Sequence, residues 1–281
     1  MPQTPRVVLT IAGFDPSSGA GVTADLKTMA AHGCYGIACI TALTIQSTQG
    51  VRRVEVVSPQ LIRETLDELA RDIEIDAVHV GMLGSGKVAV AVADFLGEAK
   101  LPGVVVDPIL RSSSGTALLD EAGTRVLTER FLPLACIVTP NVDEAAALTG
   151  LEVSNPEQMR AAAVRLHEMG AQAVVVTGGH LEKAIDLLSF TSRRGVQQEI
   201  FKSQRQRSNF THGTGCAFAS AMACHLALGR GLPEAVLLAK VYVSGAISHG
   251  HPLGRGIAPV HHLYRMHQQR RALIADAEPV V

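Results

Sequence analysis

Short apolar runs alternate along the chain with longer amphipathic or small-residue segments. Six runs have the length and composition of buried strands, and each ends in a polar or glycine-rich turn: 7–12, 36–43, 77–80, 104–107, 137–139 and 173–177. Six other segments have helical patterns: 20–32, 59–72, 87–96, 141–148, 156–169 and 215–228. This alternation predicts an α/β fold in which a mainly parallel central sheet lies between two layers of helices.

Composition agrees with this class and excludes several others. The chain has 281 residues, of which 47% are hydrophobic and 18% charged, as expected for one α/β domain spanning 1–281. The net charge of −1 gives no basic footprint for nucleic acid, and no apolar run approaches the roughly 18 residues that span a bilayer. We therefore expect neither nucleic-acid nor membrane partners.

The chain termini and the cysteines point to an intracellular protein. The first residues have no signal-peptide pattern and lead directly into a predicted strand, so we expect a cytoplasmic location. Five cysteines form no CxxC pair, which argues against a disulfide framework or a zinc site. The last residues, 272–281, have the composition of a frayed tail.

Polar and glycine-rich segments directly follow the predicted strands. Ligands of parallel α/β sheets bind beyond the carboxyl ends of the strands, so these segments are the first candidates for a site. They are Gly13 to Asp25, Gln46, 81–85, Asp107-Pro108, 139–144 and 177–180. Each one alone is most simply a structural turn, but six on one sheet edge predict a binding site.

The segment 210–221, FTHGTGCAFASA, carries the most specific chemistry. Its glycines and small polar residues precede an apolar helix, so backbone N–H groups can converge on an anion at the helix start. Cys216 would feel the helix dipole, which favours the thiolate and would let it take a proton from an alcohol. This predicts phosphoryl transfer. The alternative is a tight turn with Cys216 as a core residue.

Six motifs together resemble those of a known family. They are AGFDPSSGAGVTADLKT (12–28), TALTIQSTQGV (41–51), VGMLGS (80–85), DPILRSSSG (107–115), TPNVDEA (139–145) and THGTGCAFASA (211–221). They are similar to the hydroxymethylpyrimidine and phosphomethylpyrimidine kinases of thiamine biosynthesis, in the ribokinase superfamily. The resemblance covers nearly the whole chain. It implies a ribokinase-like three-layer α/β/α sandwich.

The resemblance also implies a reaction and its cofactors. ATP would phosphorylate the hydroxymethyl group of 4-amino-5-hydroxymethyl-2-methylpyrimidine and then convert the monophosphate to the diphosphate. The catalytic residues would be Cys216 as proton acceptor and the backbone of Gly213 and Gly215, which would stabilise the transferred phosphoryl group. Cys216 would need its pKa lowered by the helix terminus to act in this way. Exposed apolar helix faces typical of the family imply a homodimer.

Four residues are candidates for contact with the pyrimidine. Gln46 can donate to and accept from an aminopyrimidine edge at once, and Asp25 can accept from a ring or hydroxymethyl donor. Gly13 allows close backbone approach to the ring, and Met82 offers a polarisable contact to its face. Taken alone, Gln46 also suits a turn cap and Met82 a core position.

The nucleotide and its metal are assigned by the same resemblance. Asp107, Asn141 and Glu144 correspond to positions that hold Mg²⁺ and its waters near the ATP phosphates, with Asp107 and Glu144 as the metal carboxylates. Asn141 followed by Glu144 is also an ordinary helix cap. Thr177, Gly179 and Lys240 correspond to positions near the nucleotide, although Lys240 alone would be a surface lysine.

One departure from the family pattern affects the phosphate end. Relatives commonly carry lysine where this chain has Thr177, so one positive charge is missing. Arg111, Arg205 and Arg207 are candidates to replace it, although solvated loop arginines are the simpler interpretation. The histidines at 249, 251, 261 and 262 have no third ligand at metal-site spacing, which predicts surface or turn positions.

Two other functions remain open from the sequence. A pyridoxal kinase of the same fold would bind a similar ring with a hydroxymethyl arm. A catalytically silent ligand-binding protein is the alternative from another class, supported by the missing lysine. Gln46 with Met82 favours the pyrimidine, and Asp107, Glu144 and Cys216 favour catalysis.

Overall fold

The computed structural model describes residues 4–112, 114–179, 185–202, 206 and 208–266. The predicted tail at 272–281 lies outside them. The strands are β1 (Val7–Phe14), β2 (Tyr35–Ser47), β3 (Gly50–Val56), β4 (Ala77–Val80), β5 (Val104–Val106), β6 (Ile137–Val138), β7 (Ala173–Gly178), β8 (Ile185–Ser192), β9 (Gly195–Lys202), β10 (Phe210–His212) and β11 (Ala258–Pro259).

The helices lie between and after these strands. They are α1 (Gly21–Ala31), α2 (Pro59–Asp72), α3 (Gly86–Ala99), α4 (Glu121–Val126), α5 (Leu132–Leu134), α6 (Val142–Thr149), α7 (Pro156–Glu168), α8 (Thr214–Ala227) and α9 (Leu232–Ser248). A π-helical turn, Leu127–Phe131, joins α4 to α5. Within the described ranges, no helix has both the length and the apolar composition that a membrane span requires.

One nine-stranded sheet organises the fold, in the order β3-β2-β1-β4-β5-β6-β7-β8-β9. The strands from β2 to β7 in this order pair in parallel. The outer strands β3, β8 and β9 pair antiparallel with their neighbours. The prediction of a mainly parallel α/β sheet is confirmed, because the carboxyl ends of six parallel strands meet at one edge.

Two apolar cores lie on the two faces of this sheet. Successive residues of β1 point to opposite faces, so Leu9 packs in one core and Val8 in the other. The first core includes Leu66 of α2 and Val92 of α3, whereas the second includes Met222 of α8. Helices therefore cover both faces, which confirms the predicted three layers.

The antiparallel edge strands were absent from the sequence prediction. Strands β3 and β9 are half exposed, so neither has the continuous apolar run by which the buried strands were recognised. The predicted second strand is also longer than expected and extends to Ser47. Helix α2 has its predicted bounds, because Ser58 caps it and Pro59 occupies its first turn.

Candidate active site

A cavity of about 910 Å³ opens at the carboxyl ends of the parallel strands, where they meet the start of α8. Of the site residues predicted from sequence, all but Asp25 border it. These are Gly13, Gln46, Met82, Asp107, Asn141, Glu144, Thr177, Gly179, Gly213, Gly215, Cys216 and Lys240. Residues that lie far apart in the sequence are thus brought into one space.

The start of α8 forms an anion-binding end of the cavity. Gly213 is the N-cap, with φ of +80°, and a Cβ on it would lie 1.8 Å from the carbonyl oxygen of Gly19. The first intrahelical bond runs from the Ala217 N–H to the Gly213 carbonyl at 2.9 Å. The N–H groups of residues 214–216 have no acceptor within the helix, and these residues border the cavity. Together with the helix dipole they can hold an anion.

Cys216 follows in the first turn of α8, with its side chain almost completely buried. Burial raises the pKa of this thiol well above its ordinary value, and the charges of Asp25 and Asp107 raise it further. The expectation that the helix terminus would lower the pKa is therefore wrong. The helix dipole is outweighed because water is excluded and the nearest full charges are negative.

Asp25 is the predicted site residue that the structure places elsewhere. It is 0% exposed and does not border the cavity. Its carboxylate accepts hydrogen bonds from Thr10 Oγ1 and Ser220 Oγ, both at 2.7 Å, and lies 3.2 Å from His79 Nδ1. Asp25 therefore ties β1, β4 and α8 together inside the protein, and contact with a substrate is not what its position supports.

The buried imidazole beside Asp25 is affected by that charge. Burial alone would lower the pKa of His79, but the neighbouring Asp25 carboxylate outweighs burial and raises it. The two side chains are completely buried. The pair links β4 to α1 inside the protein.

Gln46 and Met82 also border the cavity. Gln46 lies inside β2, where the pairing with β3 shifts between Ile45 and Gln46, rather than after the strand as predicted. Met82 follows β4, and its carbonyl accepts a hydrogen bond from Thr41 Oγ1 at 2.5 Å. The Met82 thioether packs against Gly13. These residues combine a polar amide with an apolar wall, which suits a flat heteroaromatic ring.

The carboxylates predicted to hold the metal lie in the same cavity. Asn141 and Glu144 form a capping box at the start of α6, because each accepts the other's backbone N–H at 2.9 Å. The capping interpretation is thus confirmed, and both residues border the cavity as well. Burial raises the pKa of Glu144 and of Asp107, and at Glu144 the charge of Asp107 adds to the rise.

Two buried carboxyl groups with raised pKa values fit a hard divalent cation. Mg²⁺ is usually held by one or two carboxylates together with phosphate oxygens and water. Asp107 and Glu144 supply such a pair. The described part of the chain contains no cluster of three His, Cys, Asp or Glu side chains able to hold a metal, so phosphate oxygens would complete the set.

The position of the missing lysine lies beside a buried cation. Thr177 on β7 pairs in register with Asp186 on β8. Asp186 forms an ion pair with Lys240 of α9, and both side chains are only 11% exposed. The surface-lysine interpretation of Lys240 is therefore wrong. A positive charge stands next to Thr177 although the sequence places it 63 residues away.

The structure describes one of the three arginines that are candidates to replace the missing lysine charge. Arg111 borders the cavity and is exposed, and its Nη1 donates to the Gly115 carbonyl at 3.3 Å. Arg205 and Arg207 lie outside the described residues. Arg111 is therefore the candidate that the structure places at the cavity.

Sequence reasoning missed four side chains that shape the cavity. Asp186 lies on a strand that was not predicted, although a carboxylate inside the apolar run AIDLLSF is itself a signal, since a buried charge needs a partner. The other three are Asp15, Thr44 and His212. They border the cavity together with Gln46. They occur in the quoted motifs but were assigned no role.

Comparisons with known proteins place the chain in a family. The sequence matches the phosphomethylpyrimidine kinase family over residues 15–261. It is 42% identical to the hydroxymethylpyrimidine/phosphomethylpyrimidine kinase of Streptomyces coelicolor, over 93% of this chain and 96% of that protein. It is 46% identical to the thiamine biosynthesis bifunctional protein ThiED of Geobacter sulfurreducens, over 91% of this chain. In that case the chain spans about half of the relative's length, 52%.

Solved structures share the fold. The phosphomethylpyrimidine kinase of Clostridium difficile superimposes with a TM-score of 0.77 at 36% identity, covering 86% of this chain and 99% of that one. An ADP complex of Bacillus subtilis pyridoxal kinase gives a TM-score of 0.84 at 32% identity, covering 94% and 100%. The fold is thus that of ribokinase-like vitamin kinases, and the chain belongs to the phosphomethylpyrimidine kinase family of phosphotransferases.

Proposed function

We propose that this protein transfers the γ-phosphoryl group of ATP to 4-amino-5-hydroxymethyl-2-methylpyrimidine, and then to the resulting monophosphate. The observation that carries the proposal is the one cavity that both Gln46 and the start of α8 border. A ring held at Gln46 can present its hydroxymethyl arm to a phosphoryl group held at α8. The family membership of the chain supports the same reaction.

Ring recognition rests on Gln46 and Met82. An amide carries a donor and an acceptor side by side, as does the amino group with the adjacent ring nitrogen of a 4-aminopyrimidine. Met82 and Gly13 provide an apolar surface for the ring face. The Asp25 contact proposed from sequence is not retained, because both of its oxygens are occupied inside the protein.

Phosphoryl transfer rests on the first turn of α8. The backbone N–H groups of residues 214–216 can stabilise charge on the transferred group, and this preorganised electrostatic contribution is commonly the largest in such reactions. Cys216 is our candidate for acceptor of the hydroxyl proton. Its pKa is raised in the structure, so this role requires positive charge from the nucleotide complex to offset Asp107.

We further propose Mg²⁺ with ATP as the phosphate donor. Asp107 and Glu144 would hold the ion, and when bound it supplies positive charge against the phosphates and these carboxylates. Asn141, Thr177, Gly179 and Lys240 would surround the nucleotide, with Lys240 as the cation of that group. The similar pyridoxal kinase of Bacillus subtilis was solved with ADP.

The test is ³¹P NMR of the purified protein with Mg-ATP in parallel tubes. The tubes contain the hydroxymethylpyrimidine, its monophosphate or pyridoxal, and each is repeated with Cys216→Ala and without Mg²⁺. Pyrimidine mono- and diphosphate that disappear in both repeats support the proposal. Product from pyridoxal alone would replace it with the second candidate, a pyridoxal kinase, an enzyme class whose Bacillus subtilis member shares the fold with a TM-score of 0.84. If no tube gives product, the remaining candidate is a catalytically silent ligand-binding protein.

A homodimer is proposed as the assembly. Leu43 and Ile45 point to the same face of β2, and each is 50% exposed. Apolar side chains at this exposure on one strand suit a subunit contact. Light scattering after gel filtration should give twice the chain mass of 29.6 kDa; a monomer at micromolar concentration would refute the dimer. Cytoplasmic location stays a prediction from the sequence.

A further inference from the structure

Three polar side chains surround Gln46 in the cavity, and the proposed function assigns them no role: Asp15, Thr44 and His212. His212 Nε2 lies 2.8 Å from Asp15 Oδ2 and 3.4 Å from one end of the Gln46 amide. Thr44 Oγ1 lies 3.1 Å from the other end of the same amide. The amide is thus held between an imidazole and a hydroxyl.

Asp15 determines that the Nε2 atom of His212 carries a hydrogen. The Asp15 carboxylate accepts from the Ser17 N–H at 2.8 Å, the Ser17 hydroxyl at 2.7 Å and the Ala20 N–H at 2.9 Å. Burial alone would raise the pKa of Asp15, but the hydrogen bonds from His212 and Ser17 outweigh it and lower the pKa. An ionised carboxylate only accepts hydrogen bonds. The Nε2 atom of His212 therefore carries a hydrogen and donates it.

This fixes the amide atom that faces His212. Amide nitrogen and oxygen are nearly the same size, so hydrogen-bond partners decide which atom lies at which end. An amide N–H cannot donate to an Nε2 that already bears hydrogen. The single Nε2 hydrogen points mainly to Asp15 at 2.8 Å, and the Gln46 amide lies farther away at 3.4 Å. An amide oxygen facing His212 is attracted by that N–H, whereas an amide N–H there would be repelled by it, so the Gln46 oxygen faces His212.

Thr44 is compatible with the same orientation. Its hydroxyl has one hydrogen, for which the Phe14 carbonyl at 3.0 Å and the Gln46 amide at 3.1 Å are both within reach. With the Gln46 oxygen towards His212, Thr44 donates to Phe14 and its oxygen offers a lone pair to the Gln46 N–H. Both ends of the amide then have a suitable partner.

We propose that His212 and Thr44 are positioning residues that lock the Gln46 amide in one orientation, with Asp15 fixing the hydrogen on His212. The locked amide keeps one N–H and one oxygen lone pair for a ligand. That pair matches a ring nitrogen next to an amino group, as in 4-aminopyrimidines. This consequence for the substrate rests on the proposed function, whereas the orientation itself does not.

His212 also lies next to the helix start. It directly precedes Gly213, the N-cap of the anion-binding helix. A Cβ on Gly19 would lie 2.2 Å from the His212 ring, so the loop after β1 packs directly on the imidazole. The ring-binding amide and the helix start therefore lie close together, on either side of His212.

The first experiment reads the hydrogen on His212 directly. Long-range ¹H–¹⁵N spectra of the labelled protein distinguish a protonated imidazole nitrogen from an unprotonated one, and His212→Gln identifies the signals. We expect a protonated Nε2 that loses its hydrogen bond in Asp15→Asn. An unprotonated Nε2 would overturn the proposal. This result does not depend on catalysis, so it decides the orientation even if the proposed function fails.

The second experiment measures its effect on ring recognition. His212→Phe removes the donor, and Thr44→Val removes the other anchor, so each should raise KM for the hydroxymethylpyrimidine about tenfold. KM for ATP should stay within about twofold, since neither residue is assigned to the nucleotide. His212→Gln keeps an N–H of similar reach and should recover most of the loss.

A matched control and a second variant keep the kinetic test decisive. His251→Phe removes an exposed histidine from another loop and should change neither constant. If His212→Phe does not fold, Thr44→Val carries the test. An unchanged pyrimidine KM in folded His212→Phe or Thr44→Val would refute the positioning role. Wild type that phosphorylates none of the candidate rings would instead refute the proposed function.

Discussion

Lys240 of α9 forms a buried ion pair with Asp186 of β8, and Asp186 is the register partner of Thr177 on β7. A buried cation thus stands beside the register partner of Thr177, supplied by a helix from another part of the chain. Asp186 is anchored in turn, because its Oδ1 accepts the Gly178 N–H at 3.1 Å.

Removal of the Lys240 charge should weaken nucleotide binding. We expect Lys240→Met to raise KM for ATP at least about tenfold, because a charge-assisted contact with phosphate is lost. KM for the pyrimidine should change little. Steady-state kinetics with each substrate varied in turn measures both.

The same variant also leaves Asp186 buried and unpaired, which we expect to cost about 3 kcal/mol of unfolding free energy. The double variant with Asp186→Asn should recover that stability but not the ATP affinity. Adding Thr177→Lys to Lys240→Met should restore the affinity. If it does not, the two positions are not equivalent and our interpretation of the ion pair is wrong.

Cys216 should be required for turnover but not for folding. We expect Cys216→Ala to lower kcat more than about 100-fold, as is usual for loss of a proton-transfer group, with pyrimidine KM little changed. The matched control is Cys224→Ala, which removes a buried thiol from the same helix outside the cavity lining. Equal activity of the two variants would show that Cys216 is a core residue without a catalytic role.

Gly213 should tolerate no side chain. Gly213→Ala would place a Cβ 1.8 Å from the Gly19 oxygen at a φ of +80°. We expect a loss of more than about 2 kcal/mol of unfolding free energy, together with loss of activity, from strain and displacement of α8. Urea unfolding measures the loss of unfolding free energy.

Gly231→Ala is the natural control for that substitution. Gly231 is also a helix N-cap, but its φ is −71° and no atom lies within 4 Å of a Cβ added there. Gly231→Ala should lower the free energy of unfolding by less than about 1 kcal/mol. Similar costs at the two glycines would contradict the close packing of α8 on the loop after β1.

His262 should make the protein less stable in mild acid. Contrary to the predicted surface or turn position, it is buried, and its Nε2 has no hydrogen-bond partner. Burial, followed by the charge of Lys27, lowers the pKa of His262 from 6.5 to about 4. The unfolded chain therefore binds the proton first, and the free energy of unfolding falls as the pH falls from 6.5 towards 4.

The size of this effect can be isolated by substitution. The shift corresponds to at most about 3 kcal/mol for His262. His225 has a similarly lowered pKa of about 4, so it contributes in the same pH range. Urea unfolding between pH 4 and 7 should show a weaker pH dependence in His262→Leu, and a weaker one still when His225→Leu is added. If the pH dependence of the unfolding free energy is unchanged in His262→Leu, the His262 imidazole is in contact with water in the folded protein.

The alternation of apolar runs and helical segments determined the three-layer fold. Buried parallel strands are continuous apolar runs, and their carboxyl ends must meet at one edge, so Gly13, Asp107 and Asn141 were bound to lie near one another. The glycines before Cys216 likewise predict a helix start with free N–H groups. These features are local or follow from sheet topology, and the sequence contains both.

Only the tertiary structure decided which polar residues face the cavity and what charge they carry. Asp25 is buried because Thr10 and Ser220 reach it from other elements, and the pKa of Cys216 rises because burial outweighs the helix dipole. The pairing of Lys240 with Asp186 joins elements that are far apart in the chain. Burial and long-range contacts arise only when the elements pack, so residue spacing alone could not reveal them.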